Sequence, residues 1–212
     1  MHSPAGGDNT LALTPAPRTA AAAVLVLWVP YTVYFAVDPG SVPGALLGLA
    51  PGVLGVGLLL GAGFGPAECF LRVAPLSRAG GAALAGVAVL LVPIVAAGRW
   101  VGWDWMGVLV LAPLSGVSQE LYFRSSLLPA LLHVCGHRAA LALALHGVLF
   151  TLWHLRTLVQ MPPPVAALTS LVLLLAGLGW GWQTLRDQSV VWAMGQHTLF
   201  LMAMAFFGFG FG

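Results

Sequence analysis

The sequence predicts an all-α fold, a polytopic bundle of about seven transmembrane helices. Three observations point there. Of 212 residues, 59% are hydrophobic and only 7% are charged, too little charge to cover a water-soluble domain of that size. The mean hydropathy is +0.96. The apolar residues are also gathered in runs of roughly 20, the length a helix needs to cross the hydrocarbon of a bilayer.

Residues 1–18 are polar and contain Pro and Gly, and are expected to form a disordered tail ahead of a transmembrane domain over 19–212. The first span covers 19–37, with Trp28, Tyr31 and Tyr34 as interface anchors. It lacks a small-x-small cleavage site and reads as a retained span, not a signal peptide. Asp38-Pro-Gly40 is a turn. The second span, 42–63, is rich in glycine, which suits close helix packing in lipid. A linker over 64–80 carries Glu68, Arg72 and Arg78 and reads as an interfacial segment.

The third span covers 81–98 and is followed by Arg99-Trp-Val-Gly-Trp-Asp104. The fourth starts near Trp105 and reaches His133, interrupted from Ser115 to Arg124 by polar residues at membrane depth. The fifth covers 139–159 and ends before Pro162-Pro-Pro164; the sixth covers 165–185. After the short loop Arg186-Asp-Gln188, the seventh covers 189–211. Trp103, Trp105, Trp180, Trp182 and Trp192 fall near span ends and read as an aromatic belt.

Every basic side chain is an arginine. A cytoplasmic N-terminus puts Arg18, Arg72, Arg78, Arg138 and Arg186 inside and only Arg99 and Arg156 outside, in line with the positive-inside rule. A net charge of +2 is too small to suggest a nucleic-acid partner. Cys69 and Cys135 form neither a disulfide framework nor a metal spacing and read as apolar fillers. No internal repeat is evident, which weighs against a transporter.

A charge at the bilayer centre costs roughly 2.5–3.5 kcal/mol on insertion scales, so it persists mainly where it works or is paired. Glu120 and Arg124 are four residues apart, on one helical face, where they can pair. A structural pair that only locks a non-catalytic scaffold is the competing reading. His154 and His197 lie in two other spans, and His146 shares a face with Phe150 and His154. His133 and His137 fall in the loop after the fourth span and are expected to be solvated. Peptide hydrolysis needs a base for water and donors for the developing oxyanion, and this set contains both kinds of group. A zinc version would use His146, His154, His197 and Glu120, but no His-Glu-x-x-His signature is present; no cofactor is expected.

Gln119-Glu-Leu-Tyr-Phe-Arg124, continuing Ser-Ser-Leu-Leu-Pro129, resembles the first motif of the CPBP family. That family comprises the type II CAAX prenyl proteases and the bacteriocin-processing enzymes, and its first motif reads Glu-Glu-x-x-x-Arg. Phe150-x-x-x-His154 resembles the second motif and His197 the histidine opening the third, so the resemblance covers about 105–205. It implies an intramembrane endopeptidase of the glutamic type, in a bacterial inner membrane, acting on membrane-embedded or lipidated protein tails. Some similar members act as sorting enzymes on C-terminal anchors. It further implies that position 119 and His154 activate water and that His197 stabilises the oxyanion, with Arg124 and Phe150 in support. Two positions depart from the pattern. Gln119 stands where the family has the first glutamate, and Leu201 where it has an asparagine. An amide is no useful proton acceptor, so either Glu120 substitutes or the chain is a substrate-binding pseudoenzyme.

Overall fold

The computed structural model describes residues 17–37, 41–97, 99–100 and 104–208. Over these the regular structure is helical apart from one two-residue antiparallel pairing, β1 (Arg99–Trp100) with β2 (Phe207–Gly208). The tail up to residue 16, the turn at Asp38-Pro39-Gly40 and Trp103 lie outside the described residues.

Local chemistry sets the helix ends. Helix α1 (Pro17–Val37) opens on a proline, whose missing N–H would have no intrahelical partner there; Pro17 and Arg18 thus join the helix, not the expected tail. The Ser41 hydroxyl accepts from Gly44 N at 2.9 Å and caps α2 (Val42–Leu47), which runs on through Gly48 into α3 (Leu49–Gly61). Ser77 does the same for α4 (Arg78–Ala97), accepting from Gly80 N at 3.1 Å. The Asp104 carboxylate caps the next segment through Gly107 N at 2.9 Å, filling one of the donors that a helix start leaves unpaired.

That next segment is the central element. A π-helical stretch (Gly107–Leu111) leads into α5 (Ala112–Tyr122), a second π-helical stretch (Phe123–Leu127) and α6 (Leu128–Val134) without a break. Helix α7 (Ala139–Trp153) follows, then α8 (Leu155–Val159), α9 (Pro163–Asp187) and α10 (Val191–Phe206). Proline again fills the first turn of α9, and Gln188 ends it in the left-handed region at φ 52°.

Pro17–Val37, Val42–Gly61 and Pro163–Asp187 are long and apolar enough to cross a membrane, and the chain is an integral membrane protein. Its surface and interior are inverted relative to a soluble protein. Val33 and Leu168 are 58% and 63% exposed, whereas Glu120, Arg124, His146, Gln183 and Thr184 are fully buried. Backbone satisfaction inside helices permits apolar faces toward lipid, and polar side chains must turn inward.

Three expectations need correction. Tyr31 is no interface anchor: it is 1% exposed and meets Tyr122 edge-on, with ring centroids 4.9 Å apart. The fifth span is not one helix, because α7 stops at Trp153 and His154 caps it. The linker after α3 is partly internal: Cys69 and Phe70 are buried, and Phe70 O accepts from Val190 N at 3.0 Å. Burial pushes the Cys69 thiol up to about 11.

Candidate active site

The site forms where α5 and α10 cross. At Gly116 the helices come so close that a Cβ would lie 3.1 Å from the backbone of Thr198. One turn along α5 stands Glu120, and one residue back on α10 stands His197. The close crossing therefore brings their side chains together.

Glu120 Oε1 lies 2.9 Å from Arg124 Nη1 and 2.7 Å from His197 Nδ1. The i,i+4 spacing expected of Glu120 and Arg124 is realised at the entry to the second π-helical stretch, and both side chains are fully buried. A carboxylate paired to a guanidinium only accepts hydrogen bonds. The proton between it and His197 therefore sits on Nδ1, which leaves the lone pair on Nε2.

Aromatic rings complete the enclosure. The Arg124 guanidinium is 4.6 Å from the Phe150 ring centroid, 5.6 Å from Trp180 and 5.9 Å from Phe123, within range of cation–π attraction. Trp180 stacks on His197, centroids 4.6 Å apart and planes 24° from parallel. Trp180 was expected in the interfacial belt; it is buried instead and forms a wall of the site. Of its flanking glycines only Gly181 signals close packing: a Cβ there would lie 3.2 Å from His146 Nδ1, whereas one on Gly179 would meet nothing within 4 Å.

His154 joins through Phe150. That ring is 5.0 Å from His154 and 6.2 Å from His197, edge-on to both. His154 Nδ1 is 2.9 Å from Phe150 O. A carbonyl only accepts, so Nδ1 donates and Nε2 keeps the lone pair.

Gln119 is also buried, but its amide is otherwise engaged. Nε2 donates to Ser115 Oγ at 3.0 Å, and Oε1 is buried with no partner among the described residues. No hydrogen bond joins Gln119 to His154 among those residues. A cavity of about 280 Å³ is lined by Asp104, Ser115, Ser118, Trp153 and Leu201 among others. It thus reaches the turn that holds Gln119, the neighbour of His154, and the position where the CPBP pattern has asparagine.

Other candidates stay apart. His146 is buried against Phe123, centroids 6.1 Å apart. No group of three or more His, Cys, Asp or Glu that could hold a metal occurs among the described residues, so the zinc set does not assemble. His133 and His137 face each other outside the site, centroids 6.2 Å apart, with His137 exposed and His133 half-buried against Phe64.

Residues 100–203, just under half of the chain, match the family model described as Type II CAAX prenyl endopeptidase Rce1-like. No curated protein and no solved structure matches the chain.

Proposed function

We propose, for a chain whose residues 100–203 belong to the Rce1-like type II CAAX prenyl endopeptidase family and fall within CPBP, an intramembrane endopeptidase of the glutamic type. It hydrolyses a peptide bond in membrane-embedded or lipidated protein tails, including C-terminal anchors. The observation that carries this reading is the buried Glu120 carboxylate, shared between Arg124 and His197 inside a family-matched segment. A buried ion pair costs desolvation that packing alone would not require, and here it holds an imidazole with one nitrogen free.

Glu120 is the positioning residue. Its two partners fix the His197 ring; for Nε2 to donate to the developing oxyanion the ring must carry a second proton there besides the one on Nδ1, and Leu201 offers no further donor. His154, with Nε2 as acceptor, and position 119 make up the water-activating side. Arg124 and Phe150 hold these pieces in register. The chain crosses a bacterial inner membrane seven times with its N-terminus in the cytoplasm.

The test is cleavage of a peptide carrying an apolar C-terminal tail, added to vesicles containing the full chain, compared with the His197→Ala and His154→Ala variants. Loss in both variants, with unchanged folding by circular dichroism, supports the assignment. Cleavage that persists in both refutes it.

Gln119 favours a second reading, a substrate-binding pseudoenzyme. An amide cannot take a proton from water, and Gln for Glu keeps the shape of the site. Tail binding without turnover is its signature.

A further inference from the structure

Behind the site, α4 and α9 enclose a groove of about 430 Å³, open at the surface and bounded by Ala82, Gly86, Gly179, Trp180 and Trp182. Its width comes from missing side chains: a Cβ on Gly86 or Gly179 would meet nothing within 4 Å. At its polar end Trp182 also borders a second cavity of about 350 Å³, lined by Ser77, Arg78 and Arg186. Trp182 thus links an apolar trough to a cationic mouth.

The two arginines are not neutralised from within. Neither forms an ion pair among the described residues. The nearest carboxylate in sequence, Asp187, is 7% exposed and turned inward, accepting from the Ser77 hydroxyl and, at 3.4 Å, from Gln183 Nε2. Arg78 opens α4 and Arg186 lies in the last turn of α9, so both stand at the same end of the helix pair.

We infer that this groove seats an anionic phospholipid from the leaflet on the Arg78 and Arg186 side. The arginines bind the phosphate and one acyl chain lies in the trough. Charge complementarity decides the occupant, since a zwitterionic headgroup would bring its own cation to two guanidinium groups. Basic pockets between transmembrane helices are suited to such headgroups. The trough ends on Trp180, the indole that stacks on His197, so a seated chain would brace the ring behind the site.

The experiment exchanges the full-length protein in mild detergent against equimolar phosphatidylglycerol and phosphatidylcholine with identical chains, and counts retained lipids by mass spectrometry. Two arginines at an anionic headgroup predict a preference for phosphatidylglycerol of roughly 30-fold. The double variant Arg78→Gln, Arg186→Gln should bring the ratio close to one. The control Arg72→Gln, Arg138→Gln, which removes exposed arginines off the groove, should leave it unchanged. Filling the trough with Gly86→Leu and Gly179→Leu should lower retention of both lipids. Equal retention of the two lipids by the unmodified chain, or equal loss in the control, overturns the proposal. Displacement of the lipid by an equimolar farnesylated peptide also overturns it, assigning the groove to substrate. No step reads hydrolysis, so the result is independent of the proposed activity.

Discussion

Glu120 Oε1 and His197 Nδ1, 77 positions apart in the chain, meet at 2.7 Å in the interior. The same oxygen holds Arg124 at 2.9 Å, so one carboxylate joins two helices and a buried cation. Its removal has consequences for stability as well as for chemistry.

Arg124→Met leaves the carboxylate buried with His197 as its one remaining partner, and Glu120→Gln leaves the guanidinium buried without a counter-charge. Each should cost about 3–5 kcal/mol. The double variant Glu120→Leu, Arg124→Met should cost less than the two single changes added together, because no orphan charge remains. Thermal midpoints in detergent check this; strict additivity would show that the pair does not act as a unit.

Gln119→Glu should raise turnover by roughly 10²–10⁴-fold, the range that general-base catalysis contributes, with little change in tail binding. His154→Ala in that background should remove the gain. Initial rates on one tail peptide decide it. Equal turnover with Gln and Glu at 119, together with loss in Glu120→Gln, would assign the base to Glu120.

Gly55 and Gly57 lie on one helix with opposite surroundings. A Cβ at Gly55 would come within 2.7 Å of the Ser126 Cβ, whereas at Gly57 it would meet nothing within 4 Å. Gly55→Ala should therefore destabilise by about 1–3 kcal/mol through overpacking. Gly57→Ala should be neutral or stabilising by up to about 1 kcal/mol through helix propensity. Chemical or thermal unfolding in micelles gives both signs.

Alkylation should separate the two cysteines. With its pKa pushed up to about 11, the Cys69 thiol stays protonated at pH 8, and the thiolate is the nucleophile. Half-buried Cys135 should react first with iodoacetamide. Cys69 should react only as the pH rises through 11 or as the protein unfolds. Mass mapping showing Cys69 modified first at pH 8 would contradict its burial.

Orientation is open to labelling in a background without Cys69 and Cys135. New single cysteines beside Arg78 and Arg186 should react with an impermeant reagent only from the cytoplasmic side, and one at position 104 only from the opposite side. Labelling of 104 from the cytoplasm would invert the topology.

The sequence exposed the parts of this architecture that carry a large free-energy penalty. Glu120 and Arg124 could be read as a pair because charge at membrane depth is costly and their spacing sets them on one face. His154 and His197 stood out for the same reason. Trp180 did not, because an indole near a span end has the same composition whether it faces headgroups or an imidazole. The break at His154 was hidden too: Phe150-Thr-Leu-Trp-His-Leu-Arg156 contains neither Pro nor Gly, and packing against Phe35 and Trp153, not propensity, surrounds that ring. Helical segments follow from apolar run length, and three of them, Pro17–Val37, Val42–Gly61 and Pro163–Asp187, are long and apolar enough to cross a membrane. Their contacts depend on which glycines meet a neighbour, and one-dimensional pattern does not carry that.

The widened turn at Phe123–Leu127 divides the labour of the central helix. A π turn holds about one residue more than the α turn it replaces, and each residue swings a helix by about 100°. The stretch bearing Gln119 and Glu120 is thereby freed from the rotational setting of the stretch that seats Ser126 against Gly52 O at 3.1 Å. Losing a single residue between 123 and 127 would gear the two halves together again, so that seating Ser126 would turn Glu120 away from His197.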